Sequence, residues 1–143
     1  MAFMRGIAML SCAALLALPA SASAASAPQS TGSAQQIAAV RGAAGNFVAA
    51  ELAGNGAGAC AHLTAAQRAT EHGRTCAQRW DAKLEQLMRE PGERAGLRKD
   101  AHAIPSAAVL LRGNDASIAL PAPLLGGNAT RLLWVEDCWM LRS

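Results

Sequence analysis

The chain has little from which to build either a deep core or a charged surface. It contains no tyrosine, two phenylalanines and three tryptophans in 143 residues. Its interior must therefore come from alanine and a modest set of Leu, Val and Ile side chains. Such a core is shallow, so a covalent staple would supply a sizeable share of a marginal stability. Strong charge of either sign is missing as well. Thirteen Lys and Arg stand against ten Asp and Glu, a balance that argues against an electrostatic nucleic-acid binder. Ser106 and Ser117 lack a glycine elbow, and no nucleophile stands beside a base, so no catalytic set and no cofactor can be named. The apolar run at 6–18 is shorter than the roughly 20 residues needed to span a bilayer.

That run reads as part of a leader. Residues 1–24 have the layout of a secretory signal peptide: Arg5, the apolar stretch, Pro19, then Ala22-Ser23-Ala24 as a small-x-small cleavage site. Membrane attachment would need an uncleaved signal or lipidation at Cys12, and Cys12 precedes most of the apolar run, against the pattern of a lipid anchor. The expected location is secreted, periplasmic or otherwise associated with the cell envelope. Residues 25–32, rich in Ser, Ala and Pro, read as a disordered tether. Residues 33–143 read as one α+β domain by length.

Three Ser/Thr-x-x-Gln capping boxes mark helix starts: Ser33 with Gln36, Thr64 with Gln67 and Thr75 with Gln78. The first helix is predicted from Ala34 to Ala53, with Ile37, Val40, Ala44, Phe47, Val48 and Leu52 on one face and Gly54-Asn55-Gly56 after it. A short helical region follows over 57–72, broken near Thr64. A third helix, Cys76–Arg89, presents Cys76, Trp80, Leu84, Leu87 and Met88. The polar stretch Glu93–His102 reads as a linking loop. The period then changes, and strands are expected over 107–112, 116–120, 129–136 and 139–142, with turns at Gly113-Asn114-Asp115 and Asp137-Cys138. Helices first and antiparallel strands after predict a curved sheet with helices on its concave face.

Cys60 and Cys76 enclose fifteen residues, and closing a loop of that size removes about 3 kcal/mol of unfolded-chain entropy. Export favours a disulfide between them. His62 and His72 offer a second reading, a zinc site with the two thiolates, but Gly73 and the Thr75 cap interrupt the helix that would align His72 with Cys76. Cys138 is the odd cysteine of the exported chain, expected in a turn as a thiol able to pair between molecules. Glu51, Asp81 and Glu85 read as solvated helix-face carboxylates.

Ala59-Cys60-Ala61-His62-Leu63-Thr64, the later Thr75-Cys76-Ala77 and the closing Val135-Glu136-Asp137-Cys138-Trp139-Met140-Leu141 resemble small exported bacterial members of the nuclear transport factor 2-like (SnoaL-like) superfamily. Cys138 stands where that pattern has glycine. The resemblance covers about residues 35–142 and implies a cone-shaped α+β fold around a pocket, here expected to be lined by Phe47, Trp80, Leu84, Leu110 and Leu132. With no acid–base pair among those residues, the leading expectation is a non-enzymatic exported domain that binds a small apolar ligand or an envelope partner. The alternatives are a pocket enzyme of isomerase, dehydratase or hydrolase type, with Asp81 or His102 moving the proton, and a thiol-linked assembly protein acting through Cys138. No nucleic acid is expected as a partner, and the sequence specifies no oligomeric state.

Overall fold

The computed structural model describes residues 30–125 and 128–143. The expected signal peptide, Cys12 and residues 25–29 of the expected tether lie outside the described residues.

Each helix start follows from a local bond between a side chain and the backbone. Ser33 opens α1 (Ala34–Leu52): Gln36 N donates to Ser33 Oγ at 3.2 Å, and Ser33 N donates to Gln36 Oε1 at 3.0 Å. These bonds satisfy amides that have no partner inside the helix. Asn55 opens α2 (Gly56–Ala61) by accepting from Gly58 N at 2.8 Å. Thr64 and Gln67 form the box of the one-turn α3 (Ala65–Arg68), and Thr75 and Gln78 that of α4 (Cys76–Arg89). A fifth helix, α5 (Pro91–Ala103), occupies the stretch read from sequence as a loop. Its polar composition hid a stripe: Leu97, Asp100 and Ile104 recur at helical spacing and are all buried. Pro91 fits the first helical position, where no amide is needed, and Glu93 lies in the first turn, where the helix dipole favours an acid.

Four strands follow: β1 (Val109–Arg112), β2 (Asp115–Ile118), β3 (Thr130–Val135) and β4 (Cys138–Arg142). They pair antiparallel in the order β1-β2-β3-β4. The final turn sits one residue earlier than expected. Glu136 and Asp137 hold φ of 48° and 64° as its centre, and Cys138 opens β4 opposite Val135. Two consecutive left-handed residues are what a type I′ hairpin requires, because that turn matches the twist of the strands.

The helices cover one face of the sheet. Val109, Ala116, Ile118, Leu132, Trp139 and Leu141 point into a single cluster with Val40, Ala44, Phe47 and Val48 of α1. Both sheet edges are tied to chain outside the sheet. At β1, Thr31 N donates to Val109 O at 2.8 Å and Leu111 N donates to Thr31 Oγ1 at 2.8 Å, so residues 30–32 at the end of the expected tether close on the strand. At β4, Leu141 N donates to His62 O at 2.7 Å and Thr64 N donates to Leu141 O at 3.1 Å. Such covering withdraws edge amides from pairing with another chain.

The Cys60–Cys76 disulfide joins α2 to α4 across a Cα separation of 6.1 Å, within the ordinary range. Beside it, Gly56 N donates to Asp81 Oδ1 at 3.0 Å. A Cβ on Gly56 would stand 2.2 Å from that oxygen and 2.7 Å from Asp81 N, so the close approach of the two helices needs a glycine there.

Candidate functional site

The five residues expected to line a pocket separate in the structure. Phe47, Leu84 and Leu132 are fully enclosed in the core, and Trp80 is 9% exposed, its ring meeting Phe47 edge-on at 5.3 Å. Leu110 lies on the opposite side of the sheet at 43% exposure. Four of the five therefore pack against one another. Aromatic and aliphatic side chains at that density hold the helical layer on the sheet and leave little room for a ligand between them.

Inside this layer lies a group that sequence reading placed at the surface. Glu51, on α1, is 1% exposed, and its Oε2 has no hydrogen-bond partner. Burial pushes its carboxyl up to about 7; the charge of Lys83 opposes the rise and that of Asp100 adds to it. Asp100, on α5, is 2% exposed and accepts from Ala122 N at 3.2 Å, which ties the 121–123 loop to the helix. Burial raises its carboxyl too, against the pull of that hydrogen bond. Lys83 rests its ammonium over the Trp80 ring at 4.1 Å, a cation–π contact that holds the charge near the boundary of the core. The signal for Glu51 was present in the sequence: position 51 extends the 40, 44, 47, 48 stripe at helical spacing.

Two shallow recesses, both open to solvent, occur among the described residues. One, of about 600 Å³, lies where α3 and α4 meet and includes Leu63, Gln67, Arg79, Trp80, Lys83 and Leu125. Arg79 is spent there on structure, donating to the carbonyls of Gln67 and Ala69 and pairing with Glu71. The other, of about 340 Å³, has a small-residue floor of Ala108, Ser117, Ala119 and Ala129, with Leu110 and Pro123 beside it. Glu51, Asp81 and His102 line neither. Asp81 acts as the acceptor for Gly56 N, and His102 is exposed on α5. A carboxyl titrating near neutrality is a competent proton donor, but Glu51 has no path to a bound substrate in this arrangement.

The histidines that suggested a metal site are apart in role. His62 ends α2, where burial pushes its imidazole pKa down, and His72 is exposed with φ of 50°. The two sulfurs bond each other, and among the described residues no cluster of three metal-ligating side chains occurs.

Among the described residues no helix covers the outer face of the sheet. Its rows follow from the strand register: Leu110, Ser117, Arg131 and Arg142; then Arg112, Asp115, Leu133 and Met140; then Val135 and Cys138. Leu110 and Val135 are exposed, while Leu133, Cys138 and Met140 are half-buried by their neighbours. Cys138 thus belongs to the face and not to the turn. Arg142 pairs with Asp115 at 3.3 Å, and among the described residues Arg112 and Arg131 form no ion pair. Solvent-facing sheet positions are ordinarily polar, so the run of apolar side chains at 133, 135 and 140 is the departure that marks this surface. Among the described residues no helix is long and apolar enough to cross a membrane.

No family model, curated protein or solved structure matches the chain.

Proposed function

We propose that this chain is an exported, non-enzymatic domain whose working surface is the uncovered face of its sheet, and that it binds a protein partner of the cell envelope there. The observation that carries this reading is the contrast between the two sides of the sheet. One side is filled by Phe47, Trp80, Leu84 and Leu132, and the other carries exposed Leu110 and Val135 with half-buried Leu133 and Met140 beside them. A small-molecule site ordinarily encloses most of its ligand, and neither recess does so. The Cys60–Cys76 disulfide is consistent with an oxidising compartment outside the cytoplasm. Membership of the nuclear transport factor 2-like superfamily is part of the same proposal, supported by helices that precede an antiparallel meander and by the cysteine spacing.

A second reading, a pocket enzyme, draws on the titration of Glu51 near neutrality. It would require the helical layer to open before substrate could reach that carboxyl. Native mass spectrometry of the protein cross-linked in intact host cells separates the readings. The proposal predicts adducts of polypeptide mass, whereas a stoichiometric small organic adduct would favour a pocket.

A further inference from the structure

We propose that the open recess between α3 and α4 is a second docking surface, and that it takes an acidic segment of another polypeptide, one carboxylate side chain with an apolar neighbour. This surface lies apart from the outer sheet face and does not depend on the reading of that face.

One wall of the recess is the stretch 65–75, in which no side chain is buried, so no core contact gives it its shape. Other devices do. The Cys60–Cys76 disulfide closes its two ends. Arg79 of α4 holds its middle, donating from Nη2 to Gln67 O at 2.9 Å and to Ala69 O at 2.8 Å, while Nη1 meets the Glu71 carboxylate. At its tip Glu71 and Arg74 exchange backbone hydrogen bonds of 3.1 and 3.0 Å across a turn whose centre, His72 and Gly73, has φ of 50° and 72°. A wall fixed in this way before a partner arrives lowers the ordering cost of binding.

The apolar lining comes from Trp80, half-buried Leu125 and the exposed methyls of Ala66 and Ala69. The polar groups beside it are donors without acceptors. Among the described residues Lys83 forms no ion pair; its ammonium rests over the Trp80 ring, and Glu51, which feels its charge, lies beyond ion-pair distance. The Trp80 indole N–H has no acceptor among the described residues, although Trp80 is only 9% exposed. A tryptophan set so deeply ordinarily finds one. The acceptors nearby are engaged: Glu71 by Arg79, and Gln67 Oε1 by Thr64.

A recess of this kind selects a carboxylate over a cation. Its openness selects a length of chain over a small acid, because a small molecule would stay largely wet there, whereas a segment crossing the recess is also held on either side. Arg68 and Arg74, exposed along the wall and in no ion pair among the described residues, extend the positive charge and steer an acidic segment towards it.

The test is titration of peptides into the ¹⁵N-labelled, disulfide-bonded protein, followed by NMR. The probes are four end-blocked hexapeptides, identical except that Leu, Ile, Phe or Trp precedes a single aspartate, with an asparagine version of the tightest binder. The best should bind with a Kd of about 0.1 to 1 mM and move the signals of the Trp80 indole N–H and the Thr70 amide. Lys83→Gln and the asparagine peptide should each weaken binding at least fivefold, and together no more than about twofold beyond either alone, as for directly coupled partners. Ala66→Trp, at an exposed position on α3, narrows the recess without touching the core and should abolish binding. Circular dichroism melts establish that both variants remain folded. No binding by any of the four peptides at about 5 mM would overturn the proposal, as would binding indifferent to Lys83→Gln, to Ala66→Trp or to the asparagine exchange. Free 4-methylpentanoate binding as tightly as the best peptide would overturn a polypeptide as occupant. Shifts confined to Leu110, Val135 and their neighbours would overturn this site and leave the outer-face reading standing.

Discussion

Glu51 offers the sharpest energetic prediction. Replacing it with glutamine keeps its size and removes its charge. The folded-state carboxyl lies near 7 against an ordinary 4.5 because burial disfavours the anion. A raised pKa means that the folded protein holds the proton over a range where the unfolded chain has released it. The associated stability is complete below about pH 4.5 and is lost as pH rises towards 7. A shift of this size is worth about 3 kcal/mol in full, of which roughly 2 to 3 kcal/mol falls between pH 5 and pH 8. The Asp100 carboxyl moves in the same direction and is present in both proteins, so it largely cancels in the comparison. Urea unfolding followed by tryptophan fluorescence, with the disulfide intact, gives the stability of each protein at both pH values. Glu51→Gln should gain on the wild type by roughly 2 to 3 kcal/mol between pH 5 and pH 8. A difference between the two proteins that is the same at both pH values would refute a buried, proton-holding Glu51.

Three further outcomes follow from named contacts. Replacing Cys60 and Cys76 together with serine should cost about 3 kcal/mol, read as a lower urea midpoint; an unchanged midpoint would show that the staple contributes nothing. Gly56→Ala should destabilise by roughly 1 to 3 kcal/mol, because the new methyl meets Asp81 and the Ala77 carbonyl at the α2–α4 contact; a melting temperature within a degree of wild type would contradict that packing. Asp137→Gly should stabilise the closing hairpin by up to about 1 kcal/mol, since glycine accepts the left-handed φ of 64° that an aspartate adopts there at a cost, and thermal melts would report a loss instead if the turn were of another type.

The parts of the fold that could be read from sequence are those set by short-range chemistry. Ser33, Thr64 and Thr75 each open a helix because a hydroxyl and a glutamine three residues on satisfy the same backbone amides, a matter settled within one turn. Cys60 and Cys76 were legible as a pair because the expected export signal permits a disulfide and the loop length between them suits one. Composition misled at α5, where charged residues outnumber apolar ones and only Leu97, Asp100 and Ile104 face inward. Glu51 was missed for a related reason: residue type suggested solvent while position on the stripe indicated the core. The pocket expectation turned on tertiary packing. Whether Phe47, Trp80 and Leu132 surround a space or fill it depends on how closely α1, α4 and the sheet approach, and no local pattern fixes that distance. The uncovered face lay deeper still, since Arg131, Arg142 and Glu136 acquire their layout only once β3 and β4 are paired in register.

Site-specific photo-crosslinking in intact host cells tests the central claim most directly. A photoreactive amino acid placed at Val135 or Leu110, on the outer sheet face, should yield a discrete adduct, and one at Lys99, exposed on α5, should yield none. Adducts confined to Lys99, or none at Val135 and Leu110, would contradict the assignment of this face as the working surface.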